Sequence, residues 1–343
     1  MYTTRRSLLV ALGAAGLATT VGCSSKDSSM AGTESAAPSV SSDAEAVFPA
    51  TIKHKFGTTT VDKRPERVAV VGYTEQDTVL AFGFKPVLVR NWYGPDKVIQ
   101  PWAKELAGDL SLTGTDLGTG AIDVEKVAAS NPDLIIGSAS GMTKADYDKL
   151  SKLAPVVAQE AEFIDFGQPW QNTTRQVGIA LGQPKKAEEL VATLEQKFAS
   201  TKAANPQWAG KALALATFDG KNQISSFNAQ DARTRFFTSL GFTMPPAITA
   251  MAGEKFYVQF PLEKASLIDA DVLVWDQLSY TAGGKAALAK TPALANLKAM
   301  RENRVVHLEP VDVEGAFGWQ TILSIPYALD RIAPALQKVL PAK

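Results

Sequence analysis

The sequence predicts an α/β fold of two lobes with mainly parallel sheets, joined by one long bridging helix. The first observation is an internal repeat: residues 123–136 read DVEKVAASNPDLII, and residues 261–274 read PLEKASLIDADVLV. The offset is 138 residues, so Glu125 matches Glu263. In each copy a short helical pattern leads into an apolar run typical of a buried parallel strand. This period is too long for a solenoid and indicates two similar lobes with a ligand cleft between them, chance similarity being the alternative.

Strands and helices also alternate at short intervals in the first lobe. An apolar strand over 68–72 precedes a helix over 75–82, for which Thr74 is the predicted N-cap. A further strand begins over 86–89. This alternation is typical of a mainly parallel sheet.

A long helical segment separates the two lobes. Apolar residues recur at helical spacing from 170 to 202, with one interruption at 182–184. A single helical connection, in place of two or three crossing strands, is expected to limit how far the lobes can close. The predicted domains are a first lobe over 48–165, a bridging segment over 166–206 and a second lobe over 207–343.

The N-terminus has the features of a signal peptide. Arg5-Arg6 precedes a small, apolar run that is too short to span a bilayer and stops at Cys23, the single cysteine of the chain. The pattern resembles a bacterial lipoprotein, although Thr20 stands where such signals usually carry leucine. We expect cleavage of residues 1–22, lipidation of Cys23 and a flexible tether over 23–47, a stretch poor in large apolar side chains.

Two questions about this terminus stay open in the sequence. Arg5-Arg6 also fits a twin-arginine signal, so the twin-arginine and general secretory routes are both possible. A lone cysteine can also be a buried thiol or form an intermolecular disulfide, but its position after a signal core favours lipidation of Cys23.

Composition narrows the function class. Removal of residues 1–22 takes away two arginines and no acids, so 33 basic residues remain against 35 acidic ones. This balance gives no support for nucleic-acid binding, which needs a basic face. No apolar run after residue 23 approaches the length of a membrane helix. We therefore expect a monomer outside the cytoplasm, lipid-anchored to the outer face of the cell membrane.

Several stretches together carry a family resemblance. They read PERVAVVGYTEQDTVLAFGFKPVLV at 65–89, DVEKVAASNPDLIIG at 123–137 and LANLKAMRENRVVHL at 294–308. In this order they resemble the iron-siderophore substrate-binding lipoproteins of bacterial ABC importers, and NWYGPDKVIQPWA at 91–103 resembles the actinobacterial members. The resemblance runs from about residue 48 to the C-terminus.

The resemblance implies a fold, a ligand and partners. The fold is that of the periplasmic binding proteins with a helical backbone, and the ligand is an iron(III)-siderophore complex with no cofactor. The partners are an ABC transporter permease and its ATPase. Cobalamin, haem and metal-ion binders share the fold, so a cobalamin or haem binding lipoprotein is one alternative. A lipid-tethered sensor or assembly protein that is not coupled to import is another.

The resemblance also gives the repeat a role. In this family a glutamate on the outer surface of each lobe docks into arginine pockets of the permease, and the matching positions are Glu125 and Glu263. An acid in the first turn of a helix at a lobe tip is available to a guanidinium. The alternative is that both acids only complement a helix dipole, which contributes about 0.3–1 kcal/mol each.

Candidate cleft residues follow the predicted strands, because ligands of open α/β sheets bind beyond the carboxyl ends of the strands. A ferric siderophore already ligates its iron, so aromatic walls and cationic donors suffice and no metal ligand is expected. Arg233 and Arg235 are predicted on opposite sides of a helix start, and Arg233 is favoured. Core packing is the alternative for each aromatic residue. The expected ligand-binding residues are Tyr73, Arg90, Trp92, Tyr93, Ser138, Arg233, Trp275, Tyr280 and Trp319.

The chelate class is only weakly indicated. Catecholate complexes carry high negative charge and favour clustered cations, whereas trihydroxamate complexes are near neutral and rely on aromatic walls. Trp92, Trp275 and Trp319 outweigh the basic residues near the expected cleft, which favours a hydroxamate slightly.

Other function classes have less support. The chain has only two histidines, His54 and His307, both in predicted strands, which does not favour direct zinc or manganese capture. No nucleophile elbow, P-loop, zincin motif or dinucleotide fingerprint is present, so no enzyme is expected. Asp219, Asp276 and Glu314 could in principle form a carboxylate pair, but nothing in the sequence places them together.

Overall fold

The computed structural model describes residues 46–90, 98–110, 112, 117, 120–253 and 255–342. The signal segment, Cys23, Trp92 and Tyr93 lie outside the described residues. In the described part of the chain, no helix has both the length and the apolar character needed to cross a membrane.

The N-terminal half is built on a short antiparallel hairpin and a three-stranded parallel sheet with the strand order β3–β4–β5. Its strands are Ala50–His54 (β1), Gly57–Val61 (β2), Val68–Val70 (β3), Leu134–Gly137 (β4) and Val156–Ala158 (β5). Its helices are Glu75–Ala81 (α1), Lys104–Ala107 (α2), Val124–Ala129 (α3) and Lys144–Leu150 (α4), with a 3₁₀ turn at Pro101–Ala103.

Two local expectations are corrected here. The predicted strand over 86–89 does not form a regular strand, although Leu88 makes a parallel bridge with Ala69. Thr74 occupies the N-cap of α1, but its side chain makes no capping hydrogen bond. Its backbone N–H instead donates to the carboxylate of Glu75, which turns back over the start of its own helix.

The expected bridging segment consists of two helices, Trp170–Ala180 (α5) and Pro184–Ala203 (α6). Gly182 has φ +72° at the break between them. Gly178 allows the close approach of three elements: a Cβ there would lie 2.6 Å from the Cβ of Ala187 and 2.7 Å from the ring of Phe82. The predicted interruption at 182–184 is thus a sharp turn between two helices.

The C-terminal half is built on a five-stranded mixed sheet with the strand order β10–β9–β6–β7–β8, in which β10, β9 and β6 run parallel. Its strands are Leu213–Phe218 (β6), Gln223–Phe227 (β7), Tyr257–Pro261 (β8), Val272–Trp275 (β9) and Val305–His307 (β10). Its helices are Ala232–Ser239 (α7), Pro246–Ala252 (α8), Gly284–Lys290 (α9), Pro292–Ala295 (α10), Lys298–Arg301 (α11), Val311–Trp319 (α12) and Ser324–Val339 (α13), with 3₁₀ segments at Pro206–Trp208, Leu262–Ile268 and Leu278–Tyr280.

Both copies of the repeat are helix-to-strand units. The first runs from α3 into β4, and the second from the 3₁₀ helix Leu262–Ile268 into β9. The carboxylate of Asp133 accepts hydrogen bonds from the backbone of Glu66 and Arg67, before β3. Asp271, its counterpart, accepts one from the backbone N–H of Ala212, before β6. In both halves the repeat acid therefore ties its own strand to the strand beside it.

Apolar side chains cover both faces of both sheets, which places each sheet inside its own layers of helices. Helix α5 packs against α1, β1 and β5, and helix α6 packs against α7 and α13. The bridging pair therefore contacts one sheet system with its first helix and the other with its second. The chain has a mixed α/β fold with mainly parallel sheets, as the sequence predicts.

Candidate functional site

A cavity of about 670 Å³ opens where parallel strands of both sheets end. Tyr73 and Ala139 line it from the segments after β3 and β4, and Gln277 lines it from the segment after β9. Its volume lies within the range typical of small-molecule sites, about 300–1,000 Å³. The position fits the rule that open parallel sheets bind ligands beyond the carboxyl ends of their strands.

Aromatic side chains form much of the described wall. Phe166 bridges the two halves, with its ring centroid 6.1 Å from that of Tyr73 and 6.3 Å from that of Phe256. Phe166 is 41% exposed and has φ +63°, which a bulky residue adopts only under constraint. The aromatic residues on the described wall are Tyr73, Phe166, Phe227, Phe256, Tyr257 and Trp319.

One buried guanidinium faces this aromatic wall. Arg233, in the first turn of α7, lies over the ring of Phe227 at 3.6 Å. Its Nε and Nη2 atoms bind the carboxylate of Asp231 at 3.0 and 2.8 Å, and its Nη1 lies 3.3 Å from Asp276. These charges raise the pKa of Arg233 despite its burial. Its orientation is fixed before any ligand arrives.

Two further acids lie behind the same wall. Asp276 follows β9 and accepts a hydrogen bond from the backbone N–H of Gln277, which has φ +54°. Burial raises the pKa of Asp276 to about 6, Arg233 opposes that rise, and the negative charge of Glu314 adds to it. Glu314 itself accepts hydrogen bonds from the backbone and the hydroxyl of Ser279.

The opposite wall carries one acid and one base below its surface. Glu75 is fully buried and accepts hydrogen bonds from the backbone of Thr74 and Ala139, two residues that line the cavity. Burial raises the pKa of Glu75. The guanidinium of Arg90 lies 3.9 Å from the ring centroid of Tyr73 and donates to the carbonyl of Ser140 at 2.9 Å. Together they hold the two loops that form this wall.

Beside the cavity a polar contact joins the two halves of the chain. Trp102 packs edge-on to Trp319, a cavity residue, at 5.6 Å between centroids. Asp77 accepts hydrogen bonds from Nε1 of Trp102 and from the hydroxyl of Thr321, both at 2.6 Å. Burial raises the pKa of Asp77 to about 7, although both hydrogen bonds favour the ionised form.

The structure brings only some of the expected cleft residues together. Tyr73, Arg233 and Trp319 lie on the cavity wall, and their role in ligand binding stays a prediction. Arg90 lies behind Tyr73, with 5% of its surface exposed. Ser138 is buried and donates to the side chain of Gln176 at 2.7 Å.

Three residues of the second lobe are absent from the described cavity wall. Trp275 is fully buried in the core beside β9, because the last residue of that strand still points into the helix layer. Tyr280 is 63% exposed and is absent from the described cavity wall. Arg233 and Arg235 both lie within α7 and not on opposite sides of its start, and Arg235 donates to the carbonyl of Gly167 at 2.6 Å.

Sequence reasoning missed Phe166, Phe227 and Phe256 on the cavity wall. Phe166 carried a usable signal, since it is the first residue of the predicted bridging segment, where the chain crosses between the halves. Phe227 ends an antiparallel strand, so a rule based on parallel strand ends does not find it. Phe256 comes immediately before β8, and only the sheet pairing brings it beside Phe227.

The histidines take structural positions. The ring of His54 accepts from the backbone N–H of Phe56 and pairs with the hydroxyl of Thr59 at 2.9 Å, and its burial lowers its pKa. Burial lowers the pKa of His307 to about 4. Among the described residues, no group of three or more His, Cys, Asp or Glu side chains could hold a metal ion.

The two repeat glutamates are solvent-exposed. Glu125 lies in the first turn of α3, and Glu263 lies in the first turn of the 3₁₀ helix Leu262–Ile268. Their docking role stays a prediction.

Comparison with known proteins places the chain in a family. The periplasmic binding protein family matches residues 68–311. YhfQ of Bacillus subtilis, which is named as an ABC transporter substrate-binding lipoprotein, is 26% identical over 85% of this chain and 88% of its own. A periplasmic solute binding protein from Mycobacterium smegmatis has a solved structure with 31% identity and a TM-score of 0.72, covering 85% of this chain and 98% of its own.

A further solved structure is PiaA of Streptococcus pneumoniae in complex with ferrichrome. It is 27% identical, with a TM-score of 0.70 over 85% of this chain and 98% of its own. These relatives are binding proteins, and the match confirms the family and fold that the resemblance in the sequence implied. The chain therefore belongs to the periplasmic binding protein family, whose members bind ligands and are not enzymes.

Proposed function

We propose that this chain is the extracytoplasmic substrate-binding protein of an ABC importer, and that it captures a ferric siderophore in the described cavity for iron uptake. The observation that carries the proposal is the aromatic-lined cavity of about 670 Å³ with one buried guanidinium on its wall. Such a wall suits a bulky chelate whose iron is already ligated, because it offers ring faces and N–H donors and needs no metal ligand. The likeness to PiaA, a ferrichrome-bound protein, supports the same ligand class.

Within that class we favour hydroxamate chelates. The described wall carries six aromatic side chains and one basic side chain, Arg233. A near-neutral complex gains mainly from contact with aromatic faces, whereas a highly charged complex requires several cations. Tyr73, Phe166 and Trp319 surround the space in which such a complex would lie.

Delivery would use the two exposed repeat glutamates. Glu125 and Glu263 occupy equivalent helix starts in the two halves, so a permease dimer with two arginine pockets could engage both. Lipidation of Cys23 would hold the protein at the outer face of the membrane, near that permease. YhfQ, a relative over most of the chain, is named as a lipoprotein.

Tryptophan fluorescence titration of a soluble form beginning at Ser24 tests the proposal. The panel contains ferric trihydroxamates, ferric catecholates, ferric citrate, haem and cobalamin, each iron chelate beside its iron-free form. We expect saturable quenching at submicromolar concentration by iron-loaded trihydroxamates. No response across the panel would refute the siderophore function and favour a sensor or assembly role. Saturation by haem or cobalamin alone would reassign the ligand.

A pair of variants links binding to this cavity. Phe166→Ala removes a bridging ring from the wall and should weaken binding by roughly tenfold, the effect of losing about 1.4 kcal/mol of contact energy. Leu106→Ala removes a comparably exposed apolar side chain from α2, away from the described wall, and should leave affinity unchanged. Equal affinities in the two variants would place the ligand elsewhere.

A further inference from the structure

The cavity has an unusual charge balance beneath its aromatic surface. Arg233 is the one basic side chain among the described residues of the wall, and two carboxylates already neutralise it. The Nε and Nη2 atoms of Arg233 donate to Asp231, and its Nη1 atom donates to Asp276. A guanidinium in this state still offers N–H groups to a ligand, but it contributes no uncompensated positive charge.

Further acids outnumber the bases around it. Glu314 lies close enough to Asp276 to raise the pKa of that carboxyl. On the opposite wall the charge of Glu75 acts on Arg90, which makes that pair close to neutral.

The guanidinium of Arg235 also acts on Asp231, so the total is three guanidinium groups against four buried carboxylates. If Glu75, whose pKa is raised by burial, keeps its proton, the three remaining carboxylates balance the three guanidinium groups. In either state the described wall has no net positive charge. A multiply anionic complex would find no net positive charge there and would lose its hydration without gaining a free cation.

We infer that the buried carboxylates of Asp231, Asp276 and Glu314 act as a charge filter, which restricts the cavity to neutral or cationic ferric chelates and excludes anionic ones. The inference rests on the proposed function and assigns its specificity to three residues that never need to touch the iron. Arg233 then serves as a fixed hydrogen-bond donor to chelate oxygens, and its neutralisation by Asp231 and Asp276 is what prevents it from attracting anionic complexes.

The filter is tested with three probes that differ in charge: ferrichrome (neutral), ferrioxamine B (cationic) and ferric enterobactin (anionic). Wild-type protein should bind the first two and bind ferric enterobactin at least about tenfold more weakly. Asp276→Asn removes one buried charge and keeps an oxygen that can accept from the backbone of Gln277. This variant should raise the ratio of the affinity for ferric enterobactin to the affinity for ferrichrome by about tenfold, because one negative charge that repels the anionic complex is removed from a poorly solvated site.

Two further variants make the result interpretable. Glu314→Gln should shift the same ratio in the same direction without altering the contacts of Arg233, which also covers the case in which Asp276→Asn fails to fold. Glu189→Gln removes one carboxylate from the exposed face of α6 and should leave the ratio at the wild-type value. Thermal unfolding of each variant confirms that a folded protein is being titrated.

The outcomes separate the two hypotheses. Tight binding of ferric enterobactin by wild-type protein, or an unchanged ratio in both Asp276→Asn and Glu314→Gln, would overturn the charge filter and leave the siderophore function intact. Failure of wild-type protein to bind any of the three iron complexes would overturn both. A shifted ratio in the two variants and an unshifted one in Glu189→Gln would support both.

Discussion

Asp77 offers a quantitative test of the contact that joins the two halves of the chain. It lies in α1 with 1% of its surface exposed, and its carboxylate accepts hydrogen bonds from Trp102 and Thr321. None of the ion pairs among the described residues involves it. Burial without a cationic partner is the reason that the pKa of Asp77 is raised to about 7.

The direction of the pH effect follows from linkage. The folded protein holds the proton of Asp77 more tightly than the unfolded chain, in which the pKa of an aspartate is 3.8. The stability that this proton provides is fully present below pH 3.8 and is lost as the pH rises to about 7. A shift of this size corresponds to at most roughly 4 kcal/mol of unfolding free energy.

The Asp77→Asn variant removes this titration. We expect the unfolding free energy of the variant, minus that of wild type, to rise by up to roughly 4 kcal/mol from pH 4 to pH 8. A cost of the substitution that does not depend on pH shifts the whole difference curve and leaves this rise unchanged. Urea unfolding at each pH measures it, and the difference between the two proteins cancels the titration of all other groups. A difference that stays flat over this range would show that Asp77 does not titrate there.

Asp109→Asn is the matched control. Asp109 is an exposed acid whose pKa is lowered by its hydrogen bond to Lys85. The ionised carboxylate of Asp109 therefore contributes to the unfolding free energy above its unfolded-state pKa, and this contribution is lost as the pH falls. Its difference curve should therefore slope in the opposite direction, and only at the acid end of the range.

Three other predictions concern the bridge, the docking surface and the core. Gly178→Ala should destabilise the protein by about 1–2 kcal/mol in urea unfolding, because the new methyl group would meet Phe82 at 2.7 Å and this overpacking outweighs the better helix propensity of alanine. The double variant Glu125→Ala with Glu263→Ala should abolish iron uptake by cells while leaving ligand affinity unchanged; uptake at the wild-type rate would refute the docking role. Trp275→Phe should lower the melting temperature but leave the ligand dissociation constant within about twofold, since the side chain is fully buried in the core.

Much of the fold was accessible from sequence because its signals are local. The repeat at 123–136 and 261–274 contains a helix start, a helix end and a buried strand in consecutive residues, and each copy folds as predicted. The turn near Gly182 is equally local, since glycine readily adopts a positive φ there. The predicted strand over 86–89 does not form a regular strand, because hydrophobic periodicity does not show whether a neighbouring strand is long enough to pair with it.

The site was less accessible because its residues meet across long sequence separations. A tryptophan at the end of a strand or a helix can face the core or the cleft, and the sequence alone does not distinguish Trp275, which ends β9, from Trp319, which ends α12. Both side chains are buried, and only their neighbours distinguish them: Trp275 packs in the core beside β9, whereas Trp319 lines the cavity beside Trp102. The aromatic bridge through Phe166 likewise exists only because three separate segments converge.

The sequence by itself determined the α/β layering and the paired helix-to-strand units, because hydrophobic period and turn residues act over a few positions. The family followed from the resemblance of several stretches to known proteins. Only the tertiary structure decided which polar groups share a buried environment. Asp231, Asp276 and Glu314 stand in different segments and read individually as loop acids, yet folding brings the first two onto Arg233 and the third close to Asp276. The energy of a charge depends on its distance from other charges and from water, and neither distance is defined until the chain has folded.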